Sequence, residues 1–366
     1  MQMSLHRDPK NFKKMGIFEG EIRRRLWATI LELDVQAALD AGVPPTIGLD
    51  DFDMEAPSNV NDEDFDEQTK ILHEHPATTT TDSSLQRFLL QSLRPRLEVT
   101  RRINGIPSAL AEESNNEIIA LTTSINDACR SYSAHILRSN SSDVASFHGN
   151  LADLLLRRFI LQLHRPLAGR ARTNPIFYFC RKMSLDAAMA ILSPIPKDAE
   201  YAHLVLLGAG IFKNRMIHAS LAVASELLME VEAQGPVMNY HSTWQEPSGY
   251  PKMLMDVLRE ALRQSTERIR LGETNVKLHM KLSMAMRQTE VAEGLETSYA
   301  TMQERATAQG VDTQTAGNGS SMSEDFDPDD FDMPENLSLG SDFNLDDLFF
   351  LPADMGLDSQ AGPPTY

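Results

Sequence analysis

Ile17-Phe-Glu-Gly-Glu-Ile-Arg-Arg-Arg-Leu-Trp27-Ala-Thr-Ile-Leu-Glu-Leu-Asp-Val-Gln-Ala-Ala-Leu-Asp-Ala41 is the stretch on which the fold class turns. Phe18, Ile22, Leu26, Ile30 and Leu33 recur at helical spacing on one face, and Trp27, Leu31, Val35 and Ala38 widen that face. Gly42 and Pro44-Pro45 then end the helix. Arg23-Arg24-Arg25 spans most of its circumference, so one or two of these guanidinium groups must lean onto a neighbour or reach along the surface to water.

The same period returns at Leu85 to Ile103, with a kink expected at Pro95, and at Ala109 to Arg138, Val144 to His164 and Ile176 to Ser193. Tyr201 to Glu232 and Met253 to Arg270 follow, and Lys277 to Arg305 continues more weakly through Leu278, Leu282, Met286 and Val291. Pro107, Asn140, Pro166, Pro194-Ile-Pro196 and Gly235-Pro236 separate these segments. No alternating run of strand length lies between them, and no fixed-period repeat is visible. The expectation is an all-α, multi-helix domain over residues 1–310. Within it, Asp50 to Glu67 holds nine acids and no base, which reads as a solvated, mobile acidic loop.

The 366 residues carry a net charge of −18, unevenly placed. From Ala306 to Tyr366 there are 13 acids and no Lys, Arg or His, so the rest is near neutral, with 34 basic against 39 acidic side chains. Residues 311–366 read as a disordered acidic-hydrophobic tail, in which Phe326, Phe331, Phe343, Leu345, Leu348, Phe349 and Phe350 sit among acids. Such side chains lower solubility unless a partner buries them, so they are the expected partner-binding residues. Asn344 can cap a short helix with Asp346 and Asp347 in its first turn and Pro352 as its stop. Leu345, Leu348 and Phe349 would then form one apolar edge.

Chemistry-bearing motifs are sparse. Cys129 and Cys180 stand alone, so no disulfide scaffold and no thiolate zinc site can be built from them. His73-Glu-His75 supplies two ligands with no third nearby and reads as an exposed loop pair. Gly208-Ala-Gly210 lacks a preceding strand and a third glycine, so it reads as close helix packing rather than a nucleotide turn. Arg157 to Lys182 holds seven basic residues and no acid; phosphate binding competes there with internal pairing to Asp34, Asp51 or other acids, and the near-neutral body favours pairing. No acid, base, nucleophile and metal set converges, so no enzyme is expected. The start of the chain is no signal peptide, and the longest apolar stretch, Leu204 to Phe212, is interrupted by Lys213 and Arg215, so no membrane partner is expected.

Leu5-His6-Arg7-Asp8-Pro9, then Glu19 to Trp27, Asp34, Gly42-Val-Pro-Pro45 and Asp50 to Pro57, together resemble the fungal-specific transcription factor domain, the middle region of fungal binuclear zinc cluster regulators of the xylanolytic-activator type. Leu161-Gln-Leu-His-Arg-Pro166, and Cys180 followed by Ala187-Ala188, are similar to a second element of that family. The resemblance implies an all-α regulatory domain without catalytic residues, in a nuclear protein that controls transcription. It also implies that zinc and DNA belong to a six-cysteine cluster upstream, which this sequence lacks along with the helical stretch before Leu5, so an N-terminally incomplete domain is expected.

The function expected from these readings is regulation of RNA polymerase II transcription, by a helical control domain and an acidic segment that engages coactivators. A second reading is an interaction protein without DNA binding that pairs with full-length relatives and titrates them, as homo- or heterodimers. The chain itself is expected to hold no cofactor.

Overall fold

The computed structural model describes residues 4–105, 115–138, 143–193, 199–208, 210–233, 249–274 and 276–292. They form ten α-helices: α1 (Ile17–Ala41), α2 (Ser84–Gln91), α3 (Leu93–Asn104), α4 (Asn115–Arg138), α5 (Asp143–Ala168), α6 (Tyr178–Leu192), α7 (Ala199–Leu207), α8 (Gly210–Ala233), α9 (Gly249–Arg270) and α10 (Lys277–Ala292). Short 3-10 turns at Pro9–Asn11, Asp62–Asp64, Gly169–Arg172 and Pro175–Phe177 complete the description. Among the described residues there is no strand, and no helix is long and apolar enough to cross a membrane. The expected all-α class is what the chain adopts. The tail beyond residue 310 and the last part of the Lys277 to Arg305 prediction lie outside the described residues.

The helix ends follow from local chemistry. Gly42 closes α1 in the left-handed region, φ 67°, where a side chain would be strained, and its N–H returns to the Ala38 carbonyl. Asn104, at the end of α3, donates to the Ala38 and Val43 carbonyls at 3.0 Å each, so one helix caps another. The break expected at Pro95 falls at Ser92 instead. Pro95 is the third residue of α3, where a missing N–H costs nothing because no acceptor precedes it in the helix.

Two other boundaries differ from the sequence expectation. Pro166 lies inside α5, which continues to Ala168, so it does not separate segments. Tyr201 to Glu232 is two helices; the first ends before Gly208, a position where only glycine fits because a Cβ would collide with the Leu204 carbonyl and the Phe212 ring. The carbonyls left open at the end of α7 are taken by Arg268 of α9, which donates to Val205, Leu206 and Gly208 at 2.5, 3.1 and 3.2 Å.

Helix α5 is the central post. It packs against α2, α3, α4, α6, α7 and α8, and its Leu154, Leu156, Phe159, Ile160 and Leu161 are fully buried. Helices α8, α9 and α10 pack on one another beside α6. Against this core α1 presents Trp27, Ala28, Leu31, Val35, Ala38 and Leu39. The stripe expected to lead the buried face is turned the other way at Leu26 and Leu33, which are 45% and 53% exposed. The face is set by Glu21 and Gln36, both buried, whose partners lie in the interior.

The acidic segment 50–67 is also not the solvated loop expected. It is a strap over α1 that buries Met54, Ser58, Asn59, Val60 and Phe65. Phe52 packs edge-on to Trp27 with centroids 5.6 Å apart, and Phe65 lies 5.7 Å from Phe18. Its acids point outward or meet arginines, while a few apolar residues anchor it; composition averaged over the segment hid those anchors.

The two faces of α1 make a direct test. Leu31→Ala should cost about 2–5 kcal/mol, the usual range for emptying a packed site. Leu33→Ala should stay within about 0.5 kcal/mol, as surface changes do. Urea unfolding followed by circular dichroism measures both, and equal costs would mean that the helix is turned otherwise.

Candidate functional site

The first motif block proves to be one interlocked unit. Asp8 is fully buried; it caps the Pro9–Asn11 turn by accepting from Lys10 N at 2.9 Å, and it accepts from Glu55 N at 3.0 Å and from Arg24 at 3.3 Å. Burial opposes its charge, but the backbone donors and Arg24 outweigh it and hold the carboxyl below its ordinary pKa. Asp53 answers from the strap, accepting from Asp8 N at 2.7 Å, Asn11 at 3.0 Å and Arg7 at 3.1 Å. Glu21 accepts from Ser58 N at 3.1 Å and Arg25 at 3.2 Å, though burial still pushes its pKa up. All three consecutive arginines find partners: Arg23 donates to the Ser4 carbonyl, Arg24 meets Asp8, and Arg25 reaches Glu21, Asp62, the Val60 carbonyl and the Phe65 ring.

A second polar cluster lies deeper. Arg96 of α3, Arg158 of α5 and Arg215 of α8 are fully buried and all turn toward α1. Arg96 holds both oxygens of Glu32 at 2.8 Å. Arg158 pairs with Asp40 and donates to Gln36 Oε1 at 2.7 Å, while Arg215 donates to the same oxygen at 3.0 Å. The Gln36 amide nitrogen donates to Glu32 at 2.7 Å and to the Leu155 carbonyl at 3.0 Å. One side chain of α1 thus ties three helices together, and Glu32 beside it brings in α3 through Arg96. No sequence signal marked it, because a glutamine in a helix is ordinary until its neighbours are known.

The second motif block forms the α4–α5–α6 joint. Thr122 of α4 gives its hydroxyl proton to the Ile118 carbonyl at 2.7 Å and accepts from His164 Nε2, also at 2.7 Å. The His164 ring meets Phe179 edge-on at 5.6 Å, and burial pushes its pKa down to about 4, so it is neutral at physiological pH.

Three residues of the basic stretch form internal ion pairs, as expected, with acids other than Asp34 and Asp51. Arg157 meets Asp153, Arg158 meets Asp40, and Arg181 of α6 clamps Glu226 and Glu230 of α8. Asp34 and Asp51 instead bind the turn after α1, accepting from Ile47 N at 3.1 Å and Gly48 N at 2.6 Å. Among the described residues no three metal-ligating side chains converge. His73 is exposed and His75 pairs with Asp64 at 2.9 Å. Cys129 and Cys180 are buried and are not joined in a disulfide, and burial pushes the Cys129 thiol up to about 12, which leaves it inert. Phe326, Phe331, Phe343, Leu345, Leu348, Phe349 and Phe350 lie outside the described residues.

Comparison with known proteins matches residues 1–102 to the family described as "Fungal specific transcription factor domain". The chain is 31% identical over 326 residues to the transcription factor asR3 of Sarocladium schorii, an alignment covering 80% of this chain and 37% of that protein. It is 31% identical over 309 residues to the transcription factor lepE of Aspergillus flavus, covering 80% and 36%. It is 32% identical over 293 residues to the aspyridones cluster regulator apdR of Emericella nidulans, covering 75% and 38%. The chain therefore spans less than two fifths of the length of these curated relatives. No solved structure matches it.

His164 makes the body acid-sensitive in a defined window. Its folded pKa lies below the unfolded value of about 6.5, so between that value and about 4 the unfolded chain binds the extra proton. Stability should be full above pH 6.5 and fall as pH drops through the window, by at most about 1.4 kcal/mol per unit from this group. In His164→Gln that part of the slope should vanish; an unchanged slope in a urea titration would assign the acid sensitivity elsewhere.

Proposed function

This chain carries a fungal specific transcription factor domain, matched over residues 1–102, and on that premise we propose that it regulates RNA polymerase II transcription in the nucleus. The observation that carries the reading is the alignment of most of the chain with proteins named as transcription factors. The helical body acts as the control domain. Its buried cysteines, neutral His164 and internally paired arginines suit a packed scaffold rather than a reacting centre. Zinc and DNA contacts of such a regulator would come from residues outside these 366, since Cys129 and Cys180 are both sequestered in the core.

The acidic tail supplies the activating function in this reading. Between residues 322 and 358 its acids keep the aromatics apart and steer the segment to basic groove rims, and Leu345, Leu348 and Phe349 enter the groove of a coactivator. A helix this short does not persist in water and orders on its partner. A second reading, in which the chain pairs with family members and titrates them, draws support from the exposed Ile176, Tyr178 and Phe179 beside the 3-10 turn Pro175–Phe177.

Residues 322–358 fused to an unrelated DNA-binding domain should drive a reporter. Replacing Leu348, Phe349 and Phe350 together by Ala should remove most of that activity with the charge unchanged. Full activity in the triple variant, or none in the parent fusion, would refute the activating role and favour titration.

A further inference from the structure

Ile176-Phe-Tyr-Phe179 runs from a 3-10 turn into α6, and of its four large apolar side chains only Phe177 packs against the core. Ile176 and Tyr178 are each 62% exposed and Phe179 41%; nowhere else among the described residues do three large apolar side chains lie open within four positions. Local bonds hold this display in place. Asn174 caps the turn by accepting from Ile176 N at 3.1 Å, its own N–H returns to the Arg170 carbonyl at 2.9 Å, and the Phe179 ring rests edge-on against the buried His164. A fixed apolar patch of this kind is the mark of a surface that a partner covers.

The rim of the patch is basic. The Arg170 guanidinium lies 5.8 Å from the centre of the Phe177 ring, Arg172 is exposed two residues on, and Lys182 stands one turn after Tyr178 on the same face of α6. From Arg157 to Lys182 the chain has no acid, and the first to follow is Asp186. Arg157, Arg158 and Arg181 are neutralised by internal acids, which leaves the positive character of the stretch concentrated at this rim.

We propose that the patch from Ile176 to Phe179, with its basic rim, is the docking surface for an acidic segment of another protein that carries leucine or phenylalanine anchors. The patch takes the anchors, and Arg170, Arg172 and Lys182 meet the acids beside them, speeding encounter and setting the register. Two copies meeting face to face would set these cations against one another, so a partner here, a relative of this chain included, has to bring negative charge. A nucleic acid matches the rim but not Ile176, which cannot stack on a base. Three cations also neutralise too few phosphates to hold a polyanion against a net charge of −18. The choice of another protein over this chain's own acidic tail rests on the reading that a coactivator takes up that tail.

The test is fluorescence anisotropy of the full 366-residue chain with a labelled synthetic peptide in which leucine and phenylalanine at helical spacing stand among aspartates and glutamates. The peptide should bind saturably, and about tenfold more weakly at high salt than at low salt. Ile176→Ser combined with Tyr178→Ser should weaken binding about tenfold at every salt concentration. Lys182→Glu should weaken it at low salt and flatten the salt dependence. These side chains are exposed, so both variants should melt with the parent by circular dichroism. No saturable binding, equal binding of a peptide whose leucines and phenylalanines are replaced by serine, or unchanged affinity in both variants would overturn the proposal. So would a short DNA duplex that binds more tightly and displaces the peptide, or a parent dimer in sedimentation that the Ile176 and Tyr178 changes dissociate. A tenfold gain in affinity when Leu348, Phe349 and Phe350 are all replaced by Ala would give the surface to the chain's own tail and overturn the choice of partner, while the reporter test of the tail stands or falls separately.

Discussion

Buried arginines must be matched, and in this protein one helix does the matching. Arg96, Arg158 and Arg215 come from three different helices and are met by Glu32, Gln36 and Asp40, which succeed one another at four-residue intervals along α1. That spacing lays them on one face. Compared with an apolar core of the same volume such pairs add little net stability, yet removing one partner costs about 3–5 kcal/mol, because the other is left charged and dry. A slip of α1 by a single residue would unmatch all three at once. The pairs therefore fix where α1 lies and which face it shows, and the strap and the N-terminal turn are then placed by α1.

The outer network repeats this logic closer to solvent. Asp8, Glu21 and Asp53 gather backbone N–H groups and arginines from segments far apart in sequence, and the strap is held by these bonds together with Met54, Val60 and Phe65. The residues that mark the family in the first block are hence one structural device, not a scatter of matches. The His164–Thr122 bond plays the corresponding part for the second block, fastening α5 to α4 while the Phe179 ring closes over the histidine. Both blocks position helices, and none of their described residues is arranged to make or break a bond.

Polar junctions at the centre of a helical body respond to charge more steeply than apolar packing does, since a group that gains or loses its partner there changes energy by several kcal/mol. Gln36 joins α1 to α5 and α8, and Glu32 one turn before it joins α1 to α3, so losing either side chain would leave a buried guanidinium short of an acceptor.

Much of this was legible in the sequence. The 3.6-residue pattern gave the helical class and placed most helices within a few residues, the two isolated cysteines spoke against a thiolate metal site, and the block from Leu5 to Pro57 carried the family resemblance. Local signals sufficed because helix formation and a stop such as Gly42 are decided within a turn or two of chain. What the tertiary structure alone decided was orientation and partnership. Apolar periodicity placed Leu26 and Leu33 inward, and only the positions of Arg96, Arg158 and Arg215 show why Glu32, Gln36 and Asp40 turn that way instead. The same holds for the strap, whose acids stay near the surface, where Arg7, Arg24 and Arg25 meet three of them, while Met54, Val60 and Phe65 go inward. A charged side chain can be buried or solvated depending on a partner tens of residues away, and no local reading of sequence contains that distance.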